Sequence, residues 1–170
     1  MPIVRKPVLE RGELHFITCS SFRHLPKLGL EKHRDLFCQL LEQLRVKYRF
    51  KVVGYVVMPA SFEVLMSEPE MDTAETVILA LRQRYQRRYN TSARSDEPAW
   101  EKAIADKHVM GADRIVSSLS LMHQAPVKAG LAMQATDWEW SSARRYAGLP
   151  EGVVTLEPFA EGGAQQTGIA

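Results

Sequence analysis

The chain has 170 residues, of which 45% are hydrophobic and 25% charged, an average composition for one soluble globular domain. The sequence has no run of eighteen apolar residues and no apolar signal-peptide core near its N-terminus, so we expect no membrane partner and a cytoplasmic location. A formal net charge of +2 is too small to indicate a nucleic-acid binder by itself.

The first half of the chain alternates short apolar stretches with one long periodic one. Residues 1–12 are polar, contain two prolines and are interpreted as an N-terminal arm. Residues 14–22 are rich in β-formers and predict a first strand. Residues 30–49 repeat apolar side chains at helical spacing and predict a helix. Residues 50–58 predict a buried strand, and a Met-Pro turn then leads to a returning strand over 61–67.

The second half begins with another helix and then becomes less regular. Asp72 or Thr73 can cap a helix that runs over residues 74–90. Residues 99–109 are compatible with a last strand, although their pattern is ambiguous. The apolar spacing beyond them predicts a helix that ends at Pro126.

The order of these elements indicates the fold class. Strand, helix, strand, strand, helix and strand form the split βαβ pattern of ferredoxin-like folds. We therefore predict an α+β protein with an antiparallel sheet, helices on one face and a C-terminal helical extension. Residues 1–150 are expected to form a single domain, and residues 151–170 a C-terminal tail that is disordered at its end.

The returning strand carries two polar residues, Ser61 and Glu63. Side chains two apart in a strand point to the same face, so these two oppose the face formed by Phe62 and Val64. The apolar face suits a helix-covered core. Glu63 therefore lies either on a hydrated face, paired with a lysine or arginine, or in a functional site.

A basic stretch follows in the second long helix. Residues 82–94 contain five arginines and no acidic residue, and two tyrosines lie between them. Such a cluster can contact phosphates and stack on bases, but it can equally be a solvated helix face. Composition alone does not separate these two interpretations.

Several motifs in the same order resemble those of the single-tyrosine, His-hydrophobic-His transposases, which include the insertion-sequence 200-like and REP-associated tyrosine transposases. That family carries the pattern Tyr-x-x-Met-Pro-Asn-His-hydrophobic-His, and this chain matches it at Tyr55, Met58 and Pro59. Further similar stretches are "LHFITCSSF", "LRQRYQRRYN", "LMHQAPVKAGL" and "DWEWSSARRYAG". Together they span residues 13–149.

The resemblance implies a chemistry and a set of partners. It implies a homodimer that acts on single-stranded or hairpin DNA and forms a 5′-phosphotyrosine intermediate, with Tyr85 in the position of the nucleophile. It also implies a magnesium or manganese ion, whose ligand positions are Ser61, Glu63 and Asn90. The candidate phosphate contacts are Arg82, Arg84, Arg87, Arg88, Arg94, Lys128, Arg144 and Arg145.

The chain departs from the family pattern at its polar positions. Ser61 and Glu63 replace both metal-binding histidines, and Ala60 replaces the asparagine before them. We therefore expect a DNA-binding protein whose metal-dependent tyrosine transesterification is lost or impaired. The alternatives are an active transposase that uses Glu63 and Asn90, and an interaction or scaffold protein that no longer binds DNA.

Overall fold

The computed structural model describes residues 13–160, so the expected arm at 1–12 and the end of the expected tail lie outside the described residues. The elements in chain order are β1 (Leu14–Ser20), α1 (Glu31–Tyr48), β2 (Val52–Met58), β3 (Ser61–Met66), α2 (Ala74–Ala93), β4 (Ala105–Val109), α3 (Ala112–Lys128) and α4 (Ala143–Tyr146). None of the described helices combines the length and apolarity needed to cross a membrane.

The sheet confirms the predicted fold class. Within residues 13–160, four strands pair in the order β2-β3-β1-β4, and every neighbouring pair is antiparallel. The ambiguous last strand is present as β4, which pairs with β1 along one edge. The antiparallel pairing agrees with the predicted ferredoxin-like class.

Helices α1 and α2 cover one face of the sheet and form the core with it. The ring of Phe37 on α1 lies 4.6 Å from that of Phe62 on β3, centroid to centroid. Trp100 lies 5.3 Å from the same Phe62 ring and 5.5 Å from Tyr85 on α2. Phe62 and Tyr85 are both fully buried, so this is the apolar face that the alternation of β3 predicts.

Helix α3 packs on the opposite face, over the β2 side of the sheet. A Cβ atom on Gly54 would lie 2.5 Å from Leu119 Cδ2 and 3.2 Å from Met122 Sδ, so glycine permits the close approach of α3. The prediction that Pro126 ends this helix was wrong, because α3 continues to Lys128. Pro126 is buried, and its carbonyl accepts a hydrogen bond from Leu131 N–H, so side-chain packing and a local bond at the helix C-terminus stabilise the extra residues.

The C-terminal segment closes the outer edge of β2. Val57 N–H donates to the Trp140 carbonyl at 2.8 Å, and Ser142 N–H donates to the Tyr55 carbonyl at 3.0 Å. Further along, Glu157 N–H donates to the Val52 carbonyl at 2.9 Å. Packed structure therefore extends past residue 150, and it satisfies backbone groups that an open sheet edge would expose.

Candidate functional site

Ser61 and Glu63 lie on the face of the sheet opposite α1 and α2. Glu63 pairs in register with Thr18 of β1 and Val56 of β2, so it lies in the middle of the sheet. It is half-buried, and burial raises the pKa of its carboxyl. Residues 13–160 place no hydrogen-bond or ion-pair partner on this carboxylate, so a neighbouring lysine or arginine does not account for it there.

Tyr85 lies on the other side of the sheet, within the core. Its hydroxyl donates a hydrogen bond to the Lys27 carbonyl at 2.6 Å, and its ring packs against Phe37 and Trp100. Because those two rings also contact Phe62, whose side chain points away from that of Glu63, the sheet separates Tyr85 from Glu63. Burial raises the pKa of Tyr85 well above its usual range, which disfavours the nucleophilic phenolate.

Asn90, the third position expected to bind metal, belongs to the helix layer with Tyr85. Its amide Nδ2 donates to the Glu97 carbonyl at 3.0 Å. A magnesium or manganese ion beside Glu63 would therefore have one carboxylate and the neutral hydroxyl of Ser61, without imidazole or amide ligands. These residues do not fit the divalent-ion site that the resemblance implies.

The helix that packs on the Glu63 face does not supply a tyrosine either. Helix α3 contributes its buried side chains, including Leu119 and Met122, to that face, and its sequence from Ala112 to Lys128 contains no tyrosine. The nucleophile and the electrophilic ion that tyrosine transesterification needs are therefore not brought together around Glu63 by the described residues.

The arginines of α2 divide into buried and exposed members. Arg82 is buried: its guanidinium donates to the Glu101 carbonyl and lies 5.9 Å from the centre of the Trp100 ring. These contacts give Arg82 a structural role, and its phosphate contact stays a prediction. Arg87 and Arg88 on α2 and Arg94 at its C-terminal cap are exposed, and within residues 13–160 no carboxylate oxygen lies within 4.0 Å of them. Arg84 is half-buried on the same helix.

The other predicted phosphate contacts lie on separate elements. Lys128 is exposed at the end of α3. Arg144 in α4 is half-buried and donates to the Thr136 carbonyl at 3.1 Å, whereas Arg145 is exposed and lies 4.0 Å from Glu151. Among the predicted phosphate contacts within residues 13–160, the exposed ones without an ion-pair partner are therefore Lys128 and three arginines on α2 or at its C-terminal cap.

His123 on α3 is a structural histidine with a testable pH signature. Its Nε2 lies 2.7 Å from Ser142 Oγ, and burial lowers its pKa to about 4. A depressed folded-state pKa means that stability is retained above the unfolded value of about 6.5 and is lost as the pH falls towards 4. In urea unfolding, the wild type should lose roughly 2 kcal/mol between about pH 7.5 and about pH 5 through this group, and His123→Gln should not show that loss.

The control for that prediction is His24→Asn, because His24 is exposed and asparagine accepts its positive φ of 55°. This variant should keep the wild-type dependence of unfolding free energy on pH. If His123→Gln also keeps it, burial of the neutral imidazole does not cause the acid sensitivity.

Sequence reasoning missed one group of side chains that the structure brings together. His15 on β1 and Asp106 and His108 on β4 offer ligand atoms that all lie within 4.8 Å of one another, which is a candidate metal-binding group. The Asp-x-His spacing on β4 was the available signal, since it places two donors on one strand face. The third member is 91 residues away from Asp106 and could not be paired with it before the sheet order was known.

Comparison with known proteins agrees with the fold. No protein-family model matches the chain, and no curated protein matches it. Among solved structures, a REP-associated tyrosine transposase bound to a REP hairpin is similar over 96% of both chains, with a TM-score of 0.64 and 16% identity. A candidate transposase from Deinococcus radiodurans R1 is similar over 73% of this chain and 98% of its own, with a TM-score of 0.51 and 15% identity.

These likenesses define the chain at the level of its fold. It is an α+β protein whose fold is similar to that of solved transposases, and this is the fold that the motifs predict. In particular, the similarity to the REP-associated tyrosine transposase covers nearly the whole of both chains. At such low sequence identity, activity and partners do not follow from the fold.

Proposed function

We propose that this chain is a transposase-fold protein that binds single-stranded or hairpin DNA and does not cleave it through Tyr85. One observation carries the proposal: the fold of a hairpin-binding transposase is kept, while Tyr85 lies in the core on the opposite side of the sheet from Ser61 and Glu63. Homodimerisation and a cytoplasmic location stay predictions.

The exposed arginines of α2 are the proposed DNA-contacting surface. Arg87 lines a surface cavity of about 430 Å³ with Asn90 and Thr91, and Arg88 lines a second one of about 410 Å³ with Lys32. Guanidinium groups without an acidic partner have N–H donors free for phosphate contacts, and no neighbouring carboxylate offsets their positive charge. The concentration of these groups on one helix favours a backbone-tracking interaction over base-specific readout.

The test is fluorescence anisotropy with a labelled DNA hairpin, measured over a series of salt concentrations. The logarithm of the association constant should fall linearly with the logarithm of salt concentration. Arg87→Gln combined with Arg88→Gln should reduce that slope by about 1.5, since each lost phosphate contact removes about 0.7–0.9. Lys47→Gln combined with Lys51→Gln removes the same charge from exposed positions elsewhere and should leave the slope nearly unchanged.

Two outcomes would favour the alternatives. A covalent protein–DNA adduct formed with magnesium or manganese, and lost in Tyr85→Phe, would establish the active transposase. Absence of binding to both hairpin and single-stranded DNA would leave the interaction or scaffold role. An equal loss of slope in the lysine control would show that net charge, and not the α2 surface, drives binding.

A further inference from the structure

The β4 edge of the sheet carries a compact group of titratable side chains. His15 of β1 and His108 of β4 are direct partners in the antiparallel register. Asp106 lies two residues before His108, so its side chain points to the same face. Glu68, just after β3, reaches the same place and contacts His15 Nε2.

The spacing of these donors is close to that of a metal centre. His15 Nδ1 lies 3.0 and 3.1 Å from the two carboxylate oxygens of Asp106, and the rings of His15 and His108 are 4.7 Å apart, centroid to centroid. The ligand atoms of His15, Asp106 and His108 all lie within 4.8 Å of one another. Ligands of a tetrahedral zinc ion are separated by about 3.3 Å, given bonds of about 2.0–2.1 Å. Small side-chain rotations would therefore bring the three ligand atoms to the separation that a tetrahedral zinc ion needs.

We propose that His15, Asp106 and His108 bind a zinc-like divalent transition-metal ion, with Glu68 orienting His15 from the outside. The ion takes the place of the proton between His15 Nδ1 and the Asp106 carboxylate, and that proton is released to solvent. His15 Nε2–H then donates to Glu68. A carboxylate on the second ring nitrogen of a metal-bound histidine is the usual arrangement that fixes its tautomer and orientation.

The donor set selects the class of ion. Two imidazoles and one carboxylate suit zinc and neighbouring first-row ions, whereas magnesium and calcium prefer oxygen ligands throughout. With three protein ligands, the fourth position is left for water, as in open zinc sites. His15 is 9% exposed and held by the sheet, while Asp106 and His108 are exposed, so the ion has both a fixed anchor and an entry path.

This group is separate from the expected metal position at Glu63. His15 pairs with Met66 in the β1–β3 register, whereas Glu63 pairs with Thr18, and the two side chains point to opposite faces of the sheet. The proposal is therefore independent of DNA binding and of cleavage, and its test needs neither.

The test uses the untagged full chain, freed of metal, and measures zinc binding by competition with a chromophoric chelator and by calorimetry. We expect one zinc ion per chain, a rise in melting temperature on zinc addition, and no such rise with magnesium. His108→Ala should weaken zinc binding by more than about 100-fold, and Glu68→Gln by about 10-fold, the range measured for outer carboxylates. Cobalt added to the metal-free protein should give the visible absorption of a tetrahedral site, lost in His108→Ala.

His24→Asn is the matched control, since it removes an exposed histidine outside the group and should bind zinc like the wild type. His108 is exposed, so its removal is not expected to unfold the chain, and circular dichroism of the metal-free variant checks this. The proposal is overturned if the wild-type chain takes up no zinc. It is equally overturned if His108→Ala and Asp106→Asn bind zinc as tightly as the wild type.

Discussion

Tyr85→Phe is expected to lower the free energy of unfolding by about 1–2 kcal/mol and to leave hairpin-DNA affinity unchanged. The Tyr85 hydroxyl is buried and donates to the Lys27 carbonyl at 2.6 Å, so its removal leaves a buried acceptor unsatisfied. Tyr85→Ala should cost about 3–5 kcal/mol, because it also removes a fully buried ring that contacts Phe37 and Trp100. Urea unfolding measures both values.

The matched control is Tyr89→Phe on the same helix. Tyr89 is half-buried, and residues 13–160 give its hydroxyl no hydrogen-bond partner, so its loss should change the unfolding free energy by less than about 0.5 kcal/mol. The structural interpretation of Tyr85 fails if Tyr85→Phe is as stable as the wild type. It also fails if that variant loses a DNA-cleaving activity that the wild type possesses.

Local patterns were sufficient to predict the sheet and its covered face. The alternation at β3 separates Phe62 from Glu63, and the structure buries the first while leaving the second on the opposite face. On α2, Val77, Ile78, Leu81 and Tyr85 recur at helical spacing and are all buried, whereas the resemblance to transposases implied a nucleophile at Tyr85. Periodicity reports the burial of a side chain directly, whereas a role transferred from a family depends on which residues meet in space.

The remaining features depend on contacts between distant parts of the chain. Arg82 looks like its exposed neighbours in sequence, and only the position of Trp100 and the Glu101 carbonyl explains why it is buried. The close approach of α3 to Gly54 could not be predicted locally, because the contacting Leu119 lies 65 residues later in the chain. The group around His15 required the pairing of β1 with β4. No local pattern encodes such long-range pairings.

Arg34 is another long-range contact that the sequence did not reveal. It lies in α1, is 6% exposed, and its Nη1 donates to the carbonyls of Leu28 and Gly29 at 2.9 and 3.0 Å. Its guanidinium carbon lies 4.7 Å from the centre of the Trp138 ring and 4.1 Å from that of Trp140. One side chain thus joins the loop before α1 to the segment that covers the edge of β2.

Arg34→Met should therefore lower the free energy of unfolding by about 3 kcal/mol, since it removes two charge-assisted hydrogen bonds and two desolvated cation–π contacts. The methionine retains an apolar side chain of similar length, so the loss of unfolding free energy reports the missing guanidinium contacts more than a new cavity.

Hydrogen exchange should show faster opening of the Val57 and Ser142 amides, because both amides form hydrogen bonds between β2 and the segment that Arg34 contacts. The control is Lys32→Met, a change at an exposed position of the same helix, which should leave the exchange rates of both amides unchanged. Equal stability of Arg34→Met and the control would show that Trp138 and Trp140 hold the β2 edge without the arginine.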